Sequence, residues 1–314
     1  MQFVLSPHTC WFVIEVNSAS AFSPCNITGF FRIYDNARDP LRVGSTGASV
    51  ALRLGVTTRV RLRKTRKTRV RATFNGRLLP GRSVSGFVAA KYTELDGRPW
   101  RIEVDHTSQL PTGCGFGTSG AGALSLSLAL NDAMDLSLDR PKAAQVAHIA
   151  EIVCKTGLGT VSSVFYGGLT LRTVPGAPGV GRVRRIELPR SSRIVAASFG
   201  PIPTRKVLGS GSLKGRVNRC AKNLFSKFDR SHPQKSFIKT SRMFSDCLGL
   251  KSPRLERLIN GLDAMGFESS MAMLGESLFC IASDAETVQI AQRVRREGLT
   301  PNISAVARSG AHPL

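Results

Sequence analysis

The run Pro111-Thr112-Gly113-Cys114-Gly115-Phe116-Gly117-Thr118-Ser119-Gly120-Ala121-Gly122 holds five glycines, two adjacent hydroxyls and no acid. Behind it comes Ala123-Leu124-Ser125-Leu126-Ser127-Leu128-Ala129-Leu130, small or apolar on almost every face, the pattern of a helix buried all round. A glycine loop feeding such a helix reads as an anion site. The first N–H groups of the helix have no partner, the positive end of its dipole points at the ligand, and missing Cβ atoms let a phosphate reach the backbone.

Two common phosphate loops fit poorly. A P-loop needs Gly-Lys-Ser/Thr after its last glycine, and no lysine stands here. Gly115-Phe116-Gly117-Thr118-Ser119-Gly120 satisfies G-x-G-x-x-G, but the dinucleotide version wants a buried apolar strand ending at the first glycine. The preceding Asp105-His106-Thr107-Ser108-Gln109-Leu110-Pro111 is polar and stopped by proline.

The full string Pro-x-Gly-x-Gly-Phe-Gly-x-Ser-Gly-Ala resembles the central motif of the GHMP kinase superfamily, and its Gly115–Gly122 form is most similar to archaeal pantoate kinases. Ala21 to Phe31 resembles the first motif of that superfamily, as a strand broken by Pro24. Ile27-Thr28-Gly29-Phe30-Phe31 has the pantoate kinase form, and Cys25-Asn26 replaces the usual small-plus-basic pair. Gly44-Ser45-Thr46-Gly47-Ala48 resembles a further pantoate kinase segment; taken alone, it reads equally as a hairpin turn or a substrate loop. Met271 to Ile281, strand, glycine turn and strand, resembles the third motif, which closes over the nucleotide.

The resemblance implies an α+β, two-domain GHMP kinase fold. Residues 1–183 would form a ribosomal protein S5 domain 2-like N-terminal domain and 184–314 a ferredoxin-like α+β C-terminal domain, with Gly176 to Arg184 as the proline- and glycine-rich linker. It also implies ATP-dependent phosphorylation of a small-molecule hydroxyl with Mg²⁺. For a pantoate kinase the acceptor is pantoate and the product 4-phosphopantoate, in archaeal coenzyme A synthesis. A homoserine or mevalonate-type kinase is the neighbouring expectation.

Site residues follow the same way. The loop from Pro111 and Gly113 through Gly115, Phe116, Gly117, Thr118, Ser119 and Gly120 to Ala121 would hold the ATP phosphates, with Thr118 or Ser119 offering a hydroxyl to Mg²⁺ or phosphate. Glu151 stands where the superfamily often keeps a metal-binding glutamate. Arg172, after Gly167-Gly168, matches Gly-Gly-x-x-x-Arg, and its guanidinium suits a substrate carboxylate. Thr160 occupies the position, seven residues before Gly-Gly, at which mevalonate-kinase-like members carry an aspartate, and Lys155 stands where glycine is usual. Threonine cannot accept a proton near neutral pH. Two accounts stay open: transfer by positioning and electrostatics without a protein base, or a diverged homologue with weak activity or another substrate.

Charge is the unusual feature, 44 Lys and Arg against 21 Asp and Glu, net +23. It favours phosphorylated or polyanionic partners and leaves a diverged, RNA-binding homologue as the reading from another class. Arg59 to Arg71 holds eight basic residues alternating with Val60, Leu62 and Val70, which predicts a hairpin turning at Lys64 to Lys67 with one buried and one solvated face. No aromatics are interleaved for base stacking. Seven scattered cysteines without C-x-x-C argue for free thiols in a cytoplasmic protein and against a structural metal. No apolar run spans a membrane. Trp11 to Val16, with no basic residue before it, reads as an edge strand or extension and not as a signal peptide. GHMP kinases are often dimers, so a homodimer is compatible.

Elsewhere, Trp100 to Val104, Leu169 to Arg172 and Arg193 to Phe199 read as strands. Pro141 to Cys154 predicts a helix with Ala143, Val146, Ala147, Ala150 and Val153 inward, Ser212 to Phe228 a basic helix, and Leu255 to Met265 and Ala285 to Arg296 amphipathic helices.

Overall fold

The computed structural model describes residues 17–202 and 211–314. The Trp11 to Val16 stretch and Cys10 lie outside the described residues. Strand β1 (Asn17–Tyr34) runs antiparallel to β2 (Gly44–Lys64) along its whole length. Pro24 does not break β1 as expected. Its missing N–H is absorbed by a register shift between Pro24 and Cys25. Gly44 to Gly47, expected as a turn or loop, is strand, with Gly47 opposite Phe31; a Cβ on Gly47 would fall 2.2 Å from the Phe30 carbonyl oxygen.

The basic stretch is not a hairpin. Strand β3 (Arg69–Phe74) turns through Asn75-Gly76 into β4 (Arg77–Leu78), but β5 (Trp100–Ser108) lies between β2 and β3, antiparallel to the first and parallel to the second. Alternation along β2 holds, since Val60 and Leu62 are buried and Arg59, Arg61 and Arg63 exposed, whereas Val70 faces solvent. Strands β6 (Leu169–Val174) and β7 (Arg182–Ile186) extend this sheet beside the start of β2. Residues 176–181, within the expected linker, close the β6–β7 hairpin and are pinned there: the Ser162 hydroxyl and Gln145 amide donate to the carbonyls of Gly176 and Pro178.

Helices α1 (Val84–Asp96), α2 (Thr118–Ala133), α3 (Arg140–Cys154) and α4 (Thr160–Tyr166) share a core with the sheet around Trp100, Ile102, Leu124 and Val164. Nearly every residue of α2 is buried, as its composition demands. On α3 the inward face is Ala143, Ala147, His148, Ala150 and Glu151; Val153, expected inside, is exposed.

A second sheet holds β8 (Arg193–Pro201), β9 (Ser269–Ala272), β10 (Gly275–Ala282) and β11 (Asn302–Ala305) in the antiparallel order β11-β8-β10-β9, the ferredoxin-like arrangement. With it go α5 (Gly211–Cys220), α6 (Pro233–Leu248), α7 (Pro253–Asp263) and α8 (Asp284–Arg296). The basic helix expected to Phe228 ends at Cys220 and continues as turns. Cysteine is the other correction: Cys220 and Cys247 form a disulfide joining the ends of α5 and α6, their Cα atoms 5.7 Å apart. Sequence spacing carries no sign of that approach, while Cys25, Cys114 and Cys280 are buried thiols. Phe31 of β1 meets Phe244 of α6 edge to face at 5.6 Å, so one core serves both sheets. A final short strand, β12 (His312–Pro313), returns to pair with β1.

Candidate functional site

Between β5 and α2 the chain passes through Gly113, Gly115 and Gly117 with φ of 75°, 81° and 66°, the left-handed region open to glycine. Left-handed glycines at alternate positions are the backbone feature from which N–H groups can converge on an anion. Gly117 caps α2 without a side-chain bond. The first helical bond is Ala121 N–H to the Gly117 carbonyl at 3.0 Å, which leaves the N–H groups of residues 118–120 outside the ladder at the positive end of the dipole.

A cleft opens in front of them. Gly113, Gly115, Gly117, Thr118 and Ser119 line it, together with Thr160 and Arg172. Pro111, Phe116, Gly120 and Ala121 are not on its wall. Phe116 and Ala121 belong to the hydrophobic core, and Gly120 lies against Thr160 and Glu151: a Cβ there would stand 2.6 Å from Thr160 Cγ2 and 2.7 Å from Glu151 Oε2.

The loop is braced by the second sheet. The Ser277 hydroxyl donates to the Cys114 carbonyl at 2.7 Å, and a Cβ on Gly275 would lie 2.1 Å from that carbonyl. The β9–β10 turn therefore meets the loop backbone to backbone, and its Met273 and Leu274 form one side of the cleft. Asn26 and Thr28 of β1 and Ser45 of β2 also line it, and the Met273 N–H donates to the Thr28 carbonyl at 3.1 Å. Asn26 donates its N–H to the Phe116 carbonyl and its Nδ2 to Thr28 Oγ1, while Oδ1 is buried without a partner among the described residues.

Arg172 is 2 % exposed. Its Nη1 donates to the hydroxyls of Ser49 and Ser163, each at 2.6 Å. Nε has no partner, and no carboxylate pairs with the guanidinium among the described residues. Burial pulls its pKa down to about 10, the mark of a cation lacking a counter-ion.

Glu151 is equally buried, so its expected position near the site is an interior one. Burial pushes its pKa up to about 7, against smaller opposing pulls from the Thr156 hydroxyl and the Val161 N–H. Gly157 and Gly120 press on its oxygens. No group of three His, Cys, Asp or Glu occurs among the described residues. The donors near the loop are one carboxylate and the hydroxyls of Thr118, Ser119 and Thr156, all hard oxygens. These are the oxygen types a hard divalent cation takes, and its charge would offset the desolvation of Glu151, but Glu151, unlike Thr118, Ser119 and Thr156, is not on the wall of the cleft.

Thr160 is the first residue of α4 and brings no carboxylate to the cleft. Lys155, in the place of a glycine, ends α3 with φ +53°. Sequence reading missed Ser49 and Ser163, which orient Arg172, and gave no role to Thr28 or Thr156. A serine carries no pattern of its own, and only the pairing of β2 with β6 brings Ser49 to Arg172.

The family described as GHMP kinases N terminal domain matches residues 84–168. A pantoate kinase of Thermococcus kodakarensis is 31 % identical over 290 residues, 91 % of this chain and 95 % of its own length. A pantoate kinase of Methanocaldococcus jannaschii is 26 % identical over 288 residues, 90 % of this chain and 99 % of its own. Among solved structures, a phosphotransferase related to the CoA biosynthesis pathway superposes with a TM-score of 0.82 at 27 % identity, covering 95 % of this chain and 98 % of that one. A homoserine kinase from Cytophaga hutchinsonii, at 17 % identity and a TM-score of 0.67 over the full length of both chains, shares the fold.

Proposed function

Because the chain belongs to the pantoate kinase family of GHMP kinases, we propose that it transfers the γ-phosphoryl group of ATP to the 4-hydroxyl of pantoate. The observation that carries the site assignment is Arg172. It is a buried guanidinium without a counter-ion, in the same cleft as the anion-binding loop. A small acid entering the cleft supplies the missing charge.

Phosphoryl transfer asks mainly for positioning and charge stabilisation. The N–H groups of residues 113–120 would hold the nucleotide phosphates, and the Ser119 hydroxyl adds a donor at the mouth of the loop. Arg172, its Nη1 fixed by Ser49 and Ser163, would bind the pantoate carboxylate through its remaining N–H groups and so set where the hydroxyl lies. Glu151 and Ser119 would hold Mg²⁺, which when bound offsets charge on the transferring group. Thr160 cannot take the hydroxyl proton, so catalysis rests on alignment; a loose transition state puts little demand on a base. The buried Asn26 Oδ1 offers a hydrogen-bond acceptor within the same cleft. The division expected at 183/184 falls inside β7, a strand of the first sheet, so in this reading the boundary moves past Ile186; a homodimer and a cytoplasmic location belong to the same reading, and among the described residues no helix is long and apolar enough to cross a membrane.

The test is ADP release with Mg·ATP and pantoate, homoserine, mevalonate or pantothenate as acceptor. Turnover with pantoate, and at least 100-fold lower kcat/KM with the others, is expected. ATP binding without turnover on any of the four would sink the proposal.

A further inference from the structure

Away from the cleft, the start of β6, the β7–β8 connection and the chain after β11 enclose a second cavity of about 740 Å³. Five arginines line it, Arg53, Arg185, Arg190, Arg193 and Arg308, against one carboxylate, Glu187. Two of the five are held in place. Arg185 donates to the Arg308 carbonyl at 2.5 Å and to Glu187 at 3.2 Å, and Arg193 donates to the Arg190 carbonyl at 2.8 Å while pairing with Asp284. Those bonds fix the backbone that carries Arg190 and Arg308. The side chains of Arg53, Arg190 and Arg308 are exposed and make no hydrogen bond or ion pair with the described residues.

Like charges gathered around a hollow in excess of their counter-ions repel, and the low-dielectric wall between them focuses their field on the space inside. Here the wall includes buried Leu188 and Ala307, and the ring of Phe22 packed on His312 at 5.6 Å. The hollow is therefore cationic at its rim, with apolar surface on part of its wall. Neither the anion loop nor Arg172 opens into it.

We propose that this cavity is a second binding site, for a small organic molecule carrying two or more phosphate groups. Three unpaired guanidiniums match several phosphate oxygens by charge and by their fork geometry, and Phe22, Leu188 and Ala307 offer apolar surface to the organic portion.

The test is a calorimetric titration of inorganic tripolyphosphate at 0.15 M salt, with the cleft already filled by a non-hydrolysable ATP analogue. One site per chain is expected, and Arg53→Ala/Arg190→Ala/Arg308→Ala should weaken it at least 30-fold. A matched variant, Arg59→Ala/Arg63→Ala/Arg71→Ala, removes the same charge from the exposed sheet face and should change affinity less than twofold. Equal losses in both variants would reduce the effect to the general attraction of a basic chain and overturn the site. Absence of binding to the filled enzyme would do the same. A single-stranded RNA 12-mer that displaces tripolyphosphate and binds more tightly would reassign the cavity to nucleic acid.

Discussion

Replacing Glu151 by glutamine removes a titrating group and little volume, so it isolates what the buried carboxyl costs. In the fold this carboxyl is raised from 4.5 to about 7, mainly by burial. A group raised on folding contributes stability that is full below its unfolded pKa and is lost as pH climbs through the folded value. For Glu151 that window runs from about 4.5 to above 7, and a displacement of roughly 2.5 units corresponds to about 3 kcal/mol. His106 works in the opposite sense. Buried against Thr58 and Ser85, it is pushed from 6.5 down to about 4, so its contribution grows as pH rises between those values. The wild-type curve alone would blur the two, and the difference between wild type and Glu151→Gln cancels every shared group. In thermal denaturation without metal, the variant should match the parent near pH 5 and exceed it by about 5 °C near pH 8. With an ATP analogue present throughout, adding magnesium should raise the melting temperature of the wild type at pH 8 and add little to that of the variant. A difference that does not change with pH would show that Glu151 is not raised and would refute the reasoning; a response to magnesium equal in both proteins would remove it from the metal site.

Arg172→Met should raise the pantoate KM and lower kcat/KM by about 10²–10⁴, the equivalent of two charge-assisted hydrogen bonds at about 1.5–3 kcal/mol each, with the ATP KM unchanged; steady-state kinetics with each substrate varied reads this, and a pantoate KM within threefold of the parent would contradict it. Gly117→Ala places a Cβ 2.0 Å from Asn26 Oδ1 at a residue with φ +66°, so ATP affinity should fall at least tenfold in a binding titration while the circular dichroism spectrum is retained. Cys220→Ser opens a loop of 27 residues and should lower the unfolding free energy by about 3.5 kcal/mol, with reductant lowering the parent to the same level and leaving the variant untouched.

Much of this architecture was legible because its signals are local. The glycine run, the all-round burial of α2 and the alternation of Val60 and Leu62 with arginines each lie within a dozen residues. What failed was pairing. Arg59 to Arg71 reads as a hairpin because alternation names the buried face and not the neighbour, and β5 enters between β2 and β3 from thirty residues downstream. Helix α6 escaped notice because its inner face mixes Phe237, Ile238 and Phe244 with Ser236, Thr240, Ser241 and Ser245. Thr240 and Ser241 satisfy their hydroxyls on carbonyls one turn back, a compensation that hydropathy cannot register. In the cleft, Arg172 was found by its motif, whereas Ser49 and Ser163, which aim it, come from other elements and carry no motif.

The seat of the Gly275 turn against the Cys114 carbonyl divides this cleft by how freely it can change in descent or in the laboratory. Contacts between main chains have no rotamers to trade, so the grip on phosphate is held by shape and tolerates almost no drift. On the remaining wall stand the hydroxyl residues Thr28, Ser45 and Thr160. New acceptors should therefore be reached by rewriting that one wall, in a scaffold whose handling of ATP is inherited unaltered.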